Sequence, residues 1–550
     1  MNEGVGAEPE RSRLKRLFLS DEFFLAAAAA LAGAASAFVL LMQNRYALVY
    51  YGDAISHLVI SRRIVDWIDP GLAQVGSVWL PMTHIMLLPF VLNDFLFHTG
   101  LAGTIVSTFS MTVTTVVLYR MAKLQFKSRL AGFVASSLYL MNPSVLYMGV
   151  VPMMEANYVM FLVLSVYYLQ QWYYSTDTWK QYRNLLKCSF AASAATLTRY
   201  EAWVLPFALI FILLVVLMII RREAWRAKAR AFLWVVIPFS FLGTALWLLW
   251  NLAIFRDPLY FADAPYFSAQ AQALSRPFRQ HLYLQPINSA SILFDVARNM
   301  YGIQVLALAA LGLAAYVYLG RRERELSFRL LTLALLLSPT IAVFLAMVQG
   351  SGEVYPVQQG WFNGLFLVEA APFLAFASAS LVSFAQKRGK KALTVFVVLL
   401  VGTSYGLTLV NQGFAVGANT VLRAPILPYE QSEQVTLQTG TVLGSIAKEG
   451  QIVLFVTASD GDDLMFSSGL PLNRFIDVAA GSYWKTSVTS PWVYGEYLVM
   501  AEQPSPEIQS LLSYWQGNQS VLMEHFTVVY ANQQYLILKN DNASSPQAPA

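Results

Sequence analysis

Eleven stretches of this 550-residue chain are apolar enough, and nearly all long enough, to cross a membrane, and that pattern leaves room for few other folds. A spanning helix needs about 20 mostly apolar residues. The expected spans are 22–42, 103–121, 130–149, 154–172, 187–200, 201–220, 231–254, 301–319, 330–348, 363–385 and 392–410. The first is too long and too weakly cleavable for a signal peptide and reads as a true span. Segment 82–97, MTHIMLLPFVLNDFLF, is sixteen residues long and contains Pro89, which suits a re-entrant or interfacial helix better than a crossing. Composition agrees: 57% of residues are hydrophobic and 13% charged, against about 25% charged in soluble domains.

Charge placement orients the spans. Basic clusters at 11–16, 120–129, 180–187, 221–230, 321–329 and 387–391 hold 24 of the 37 lysines and arginines. All six fall on one side of the membrane only if 82–97 does not cross and 187–220 crosses twice. The positive-inside rule makes that side cytoplasmic. The expectation is a multi-pass protein of the cytoplasmic membrane with eleven spans, a cytoplasmic N-terminus and an extracytoplasmic C-terminus. The net charge of +5 is therefore topological and not a nucleic-acid-binding surface. A single cysteine, Cys188, excludes an intrachain disulfide framework and a cysteine-built metal site.

The chain divides by charge near residue 411: 20 acidic and 32 basic residues precede that point, and 12 acidic and 5 basic follow it. The expected organisation is a cytoplasmic tail over 1–20 and a membrane domain over 21–411 with outer loops at 43–102 and 255–300. An extracytoplasmic α/β domain over 412–540 and a disordered tail over 541–550 complete it. In the α/β domain a helix-like run (430–448) precedes the strand-like QIVLFVTAS (451–459). YLVMA (497–501), a helix-like SPEIQSLLSYW (505–515) and a closing pair, FTVVY and QYLIL, follow.

Chemistry-bearing residues concentrate at the outer ends of spans. Asp53 follows the first span directly, and His57 lies four residues on, so a helix puts both on one face. Arg62, Arg63 and Asp66 continue an amphipathic segment that Asp69, Pro70 and Gly71 end. The plainer reading is an interfacial anchor with solvated charges, and Asp53 would also serve as a helix N-cap. Glu155 and Glu201 sit near outer span ends, and Arg199 is two residues from Glu201. Ionisable residues at such depth usually face a cavity or a partner. A local Arg199–Glu201 pair is one reading. The other puts Arg199 at a phosphate, which suits a guanidinium fork, and Glu155 or Glu201 at sugar hydroxyls. Arg256, Arg276, Arg279 and Arg298 are further candidates in the middle loop.

Gly52-Asp53-Ala54 with His57, the run Val78-Trp79-Leu80-Pro81-Met82-Thr83-His84 and Thr198-Arg199-Tyr200-Glu201 carry a family resemblance. With a first span leading into a large outer loop and many further spans, the chain resembles the GT-C glycosyltransferases, in particular bacterial relatives of the protein O-mannosyltransferases. The resemblance covers roughly residues 20–410. It implies a polytopic all-α membrane domain of about eleven spans, with juxtamembrane helices in the first outer loop and the small α/β domain outside. It also implies transfer of a sugar, mannose or a similar hexose, from a polyprenyl-phosphate donor to an extracytoplasmic acceptor with inversion. Asp53 maps onto the family's acidic base, and His57, Arg62, Arg63, His84, Glu155, Arg199, Glu201 and Arg256 are candidates for binding donor or acceptor.

The expected partners are the lipid bilayer and that donor, with the acceptor's class open and no nucleic acid. Oligosaccharyltransferases of the superfamily use a metal, whereas the resemblance to protein mannosyltransferases implies none. The expectation here is that none is required, with Asp53, His57 and His84 as the alternative ligand set. The chain departs from the family twice: Ala54 stands where many relatives carry a second acidic residue, and Gly364-Leu365-Phe366 stands where they often carry Arg-Tyr, with Glu369 three residues on. The competing classes are a non-catalytic relative and a lipid or solute transporter with a partner-binding outer domain.

Overall fold

The computed structural model describes residues 20–51, 53–76, 78–220, 224–263, 281–323, 325–350, 356–358, 361–362, 364–412, 434–501 and 519–541. A helical bundle carries a small mixed-sheet domain at one end. The first long helix, Asp21–Gln43, starts where the Ser20 hydroxyl accepts a hydrogen bond from the Phe23 amide, with Asp21 and Glu22 in its first turn. Acidic residues there offset the positive end of the helix dipole. Phe24, Leu31 and Phe38 point out of the bundle. They stand seven residues apart on one face, and a stripe of large apolar side chains facing outward is at rest in lipid, not water.

Among the described residues, seven helical segments are long and apolar enough to cross a bilayer: Asp21–Gln43, Leu101–Phe126, Tyr200–Ile219, Trp225–Phe255, Ile303–Arg322, Leu326–Val348 and Leu365–Lys387. The other four expected spans are helical as well, and the last of them is apolar over Lys391–Leu407. The 130–149 segment is two pieces, Arg129–Leu140 and Pro143–Met148, because Asn142 caps the second and Pro143 follows it without an N–H to give. Glu155–Tyr174 is one helix, and Lys391–Gln412 another. The expected span at 187–200 is part of a longer helix, Thr178–Thr196, which takes in Lys180, Arg183 and Lys187. Asp177 accepts from the Lys180 amide and starts this helix in polar sequence that a hydropathy window passes over.

The segment expected not to cross forms Met82–Val91 and Asp94–His98. Ten residues rise about 15 Å, half the hydrocarbon thickness. The middle loop is not irregular throughout: it contains Tyr260–Asp263 and the sixteen-residue helix Pro286–Tyr301.

Small residues let the helices meet backbone to backbone. A Cβ on Gly312 would lie 2.0 Å from the Ala377 carbonyl oxygen, and one on Gly103 would lie 2.1 Å from Pro152. Buried hydroxyls bond across the same seams. Ser107 donates to the Val151 carbonyl at 2.6 Å, Ser110 to Asn157 Oδ1 at 2.6 Å, and Asn157 in turn to Thr83 at 3.2 Å. That last bond fixes the short helix 82–91 beside Glu155–Tyr174.

The C-terminal sheet has five strands in the order Phe475–Ile476, Ile452–Phe455, Tyr497–Ala501, Tyr535–Asn540 and Phe526–Ala531. The first three are parallel and the last two antiparallel. Ile452–Phe455 is buried at every position, as a central parallel strand with covered faces should be. Helices over 434–446, Ala458–Ser468 and Ser482–Thr489 accompany it. The expected 505–515 helix, the 541–550 tail beyond Asp541, most of the N-terminal tail, and Arg276 and Arg279 lie outside the described residues.

Candidate functional site

The ten-residue helix Ala54–Arg63 organises the polar end of the bundle. Asp53 occupies its N-cap position and is exposed, but its side chain does not cap the helix. The carboxylate lies within electrostatic reach of Glu155 in the bundle and of Asp462 in the sheet domain. It therefore stands where the two meet.

One turn along the helix, His57 is fully buried against Trp79, ring centroids 5.0 Å apart. Its Nδ1 is 3.0 Å from His84 Nε2, and His84 Nδ1 is 2.8 Å from the Val75 carbonyl oxygen. Burial pushes the His84 imidazole down to about 4. Burial, then His84, then the positive Arg199 hold His57 well below the usual histidine range. Both rings are neutral at pH 7. Both His84 nitrogens are committed to hydrogen bonds, so the ligand set of Asp53, His57 and His84 lacks one of its nitrogens. Among the described residues no group of three or more His, Cys, Asp or Glu side chains is arranged around a common metal position.

Arg199 gathers three carboxylates. It bonds Glu155, Glu201 at 2.8 Å and Glu369 at 3.1 Å. Arg199 is 6% exposed, Glu155 and Glu369 0% and Glu201 14%. The face of Phe366 lies 4.8 Å from the guanidinium. The local pair with Glu201 exists, and two carboxylates from other helices join it. Three carboxyl groups share this one cation, so the charge of Arg199 is already balanced and it is a poor phosphate ligand. Glu155 Oε2 has no hydrogen-bond partner among the described residues.

Arg62 and Arg63 are likewise engaged. Arg62 donates to Asp66 at 3.1 Å, Asp94 at 2.6 Å and the Val91 carbonyl at 2.6 Å. Arg63 crosses to the sheet domain, bonding Asp462 at 2.9 Å and Asp477 at 2.6 Å, all three side chains under 9% exposed. Asp66 accepts the Leu472 and Asn473 amides, and His98 Nδ1 donates to the Phe466 carbonyl at 2.7 Å. These contacts join the two domains and are not free to hold a ligand. Burial raises the Asp462 carboxyl to about 6, with Arg63 and Ser56 opposing and Asp477 and Asp53 adding to the rise.

Arg256 differs from the other arginines. It is exposed, has a left-handed backbone (φ 64°) at the end of Leu242–Phe255, and forms no ion pair among the described residues. Aromatic rings tie its turn to the site. Phe255 stacks on Tyr260 at 3.9 Å, Phe261 stacks on Tyr200 at 5.0 Å, and Trp247 donates to the Tyr200 hydroxyl at 3.2 Å. Trp250 Nε1 reaches the Leu72 carbonyl at 3.0 Å, closing this aromatic wall onto the first loop.

The structure thus brings Glu155, Arg199 and Glu201 together and sets His57 within electrostatic reach of Arg199 and Asp53 within reach of Glu155. Arg62 and Arg63 go to the domain junction, and His84 acts behind His57. Sequence reasoning did not assign Glu369, Asp462 or Asp477 to the site. Glu369 had a signal, a carboxylate inside an apolar window; the two aspartates had none before their domain was seen docked.

Two solved structures share this architecture. ArnT from Cupriavidus metallidurans bound to undecaprenyl phosphate is 14% identical, with a TM-score of 0.50 over 96% of this chain and 99% of that one. The oligosaccharyltransferase of Archaeoglobus fulgidus in complex with Zn and sulfate is 12% identical, with a TM-score of 0.53 over 94% of this chain and 73% of that one. No protein-family model and no curated protein matches the sequence.

Proposed function

We propose that this chain, a multi-pass membrane protein with the fold of the GT-C glycosyltransferases, transfers one sugar from a polyprenyl-phosphate carrier to an acceptor outside the cytoplasmic membrane. The observation that carries the reading is Asp53: an exposed carboxylate between a buried polar cluster and a docked sheet domain, at the end of a lipid-suited bundle. The undecaprenyl phosphate held by the ArnT of like fold supports a lipid-phosphate carrier. A hexose such as mannose is the proposed sugar. The orientation follows the basic clusters, with the N-terminus cytoplasmic and the sheet domain outside.

The chemistry follows from the groups present. The acceptor hydroxyl attacks the anomeric carbon from the face opposite the lipid phosphate while Asp53 takes its proton. The bond between anomeric carbon and phosphate oxygen breaks, configuration inverts, and polyprenyl phosphate leaves as an anion. A positioned base of this kind contributes about 10²–10⁴-fold. The leaving phosphate needs positive charge more than a proton. With Arg62, Arg63 and Arg199 held by carboxylates, Arg256 on the turn over Tyr200 is the proposed phosphate ligand among the described residues. The sheet domain would border the acceptor's approach to Asp53.

Membranes containing the wild-type protein or Asp53→Asn, supplied with radiolabelled polyprenyl-phosphate sugars, test the reading. Transfer by the wild type and a loss of at least about a hundredfold in the variant are expected. No transfer from any donor would overturn the enzyme reading and favour a non-catalytic or transporting protein. Unchanged transfer by Asp53→Asn would remove Asp53 as the base.

A further inference from the structure

His57 and His84 are both wholly buried, yet only one of them is satisfied. His84 has a partner for each ring nitrogen, as a structural core histidine should. His57 has a partner for Nδ1 only, and its Nε2 is buried without any hydrogen-bond partner among the described residues. An unpartnered buried polar atom is uncommon in native proteins and calls for a physical account.

The hydrogen-bond directions along the pair are fixed by its far end. The Val75 carbonyl oxygen can only accept, so His84 Nδ1 carries its proton and donates. A neutral His84 then presents Nε2 as a lone pair. That lone pair must accept, so His57 Nδ1 carries the proton between them. A neutral His57 protonated at Nδ1 has a bare lone pair at Nε2. Burial holds both rings neutral. The unfilled position is therefore an acceptor of defined direction, and whatever fills it brings an O–H or N–H. His57 is fully buried, which disfavours a cationic donor, and a neutral hydroxyl fits the position. Asp53, one turn earlier on the same helix, is exposed where His57 is not. An acceptor molecule arriving from solution meets Asp53 first, and His57 lies one turn further along and buried.

We propose that His57 Nε2 accepts a hydrogen bond from a hydroxyl of the transferred sugar, and that His84, anchored on the Val75 carbonyl, is the positioning residue that fixes the required tautomer. This rests on the glycosyl-transfer reading above. The proposal adds a specificity contact. A donor lacking the hydroxyl leaves the Nε2 lone pair unfilled, and sites built around a hydrogen bond discriminate strongly against analogues that cannot make it.

The test uses the full-length protein with ¹⁵N-labelled histidine, of which the chain has five. In the wild type, His57 and His84 are expected as neutral rings protonated at Nδ1, identified by the loss of their signals in His57→Gln and His84→Gln. Adding a polyprenyl-phosphate sugar that the protein transfers should move the His57 Nε2 resonance in the direction of hydrogen bonding, and sugarless polyprenyl phosphate should not. His84→Leu should release the tautomer and raise the KM for donor about tenfold, the worth of one lost hydrogen bond. His84→Gln, which keeps an acceptor for His57 Nδ1, should restore most of that loss. A proton on His57 Nε2 in the wild type, or no response of Nε2 to a donor that is turned over, would overturn the proposal. An unchanged KM in His57→Leu would do the same while leaving glycosyl transfer intact. Absence of any transfer by the wild type would instead strike the reading beneath it.

Discussion

The Arg199 cluster permits a test in which two substitutions at one site act in opposite directions. Arg199 bonds Glu155, Glu201 and Glu369, and none of the four side chains is more than 14% exposed. Arg199→Met would leave three carboxylates around an uncharged side chain. Breaking a buried ion pair from one side costs roughly 3–5 kcal/mol, because the remaining charge is uncompensated. Glu369→Gln, in contrast, removes one of the three carboxyl groups that share the cation and keeps an amide oxygen for Arg199. It should cost less than about 1 kcal/mol or be stabilising.

At an unfolding entropy of about 2.1 cal/mol/K per residue, a cooperative unit of 550 residues shifts its midpoint by about 1 °C per kcal/mol. Arg199→Met should thus melt roughly 3–5 °C below wild type, and Glu369→Gln at or above it. Adding Glu369→Gln to Arg199→Met should recover part of the loss. Fluorescence-detected size exclusion after a heating series in detergent resolves such differences. If Arg199→Met melts with the wild type, or Glu369→Gln falls as far as Arg199→Met, the charge argument fails and some other cation balances the carboxylates.

The domain junction gives two further expectations. Asp462 titrates near 6 in the folded protein against an ordinary 3.8; the folded state holds the extra proton between those values, so this group adds stability as pH falls through that window and costs on the order of 3 kcal/mol at neutral pH. Melting of wild type and Asp462→Asn from pH 4 to 7 should diverge with that sign; His57 and His84 act oppositely but equally in both proteins, and parallel curves would refute the assignment. Arg63→Met leaves Asp462 and Asp477 buried without their shared cation, a cost of roughly 3–5 kcal/mol. Limited proteolysis should release the sheet domain faster, and an unchanged rate would show that the Asp66 and His98 contacts suffice.

The bundle was legible where apolarity and length decide the outcome. Asp21–Gln43, Leu101–Phe126 and Leu326–Val348 follow their apolar runs closely because lipid demands a continuous apolar helix. The strands at 452–455, 497–501, 526–531 and 535–540 were legible for a similar reason, as short β-branched runs between turns. What escaped was set by capping and by distance. Asp177 begins a helix inside a basic cluster, and a hydropathy window has no access to a side-chain cap. Glu369 and Arg199 are 170 residues apart, and only the close packing of their helices makes them partners. The local Arg199–Glu201 pair was legible from adjacent sequence, whereas Glu155 and Glu369 join it only through the packing of other helices. The middle-loop helix Pro286–Tyr301 was missed because it is amphipathic, with Ser289, Val296 and Met300 buried at helical spacing, and is not an uninterrupted apolar run.

The sheet domain and the candidate site share one mechanical element. Ser56 and Arg63 are seven residues apart on the helix Ala54–Arg63, two turns on one face, and both engage Asp462. His57 turns from that face toward His84 and the bundle. Asp53 begins the same helix, and its backbone carbonyl accepts the His57 amide at 3.0 Å. A ten-residue helix this short has no hinge of its own, so a displacement of the sheet domain that drags Arg63 also moves Asp53 and His57. The acidic C-terminal domain is thus more than a cover. Its Asp462 and Asp477 hold the far end of the helix whose near end carries the proposed base. Arg63→Met should consequently lower kcat as well as loosen the domain, although Arg63 touches no substrate in this account. A variant that loosens the domain while leaving kcat at the wild-type value would show that the bundle alone, through His84 and Thr83, holds the helix in place.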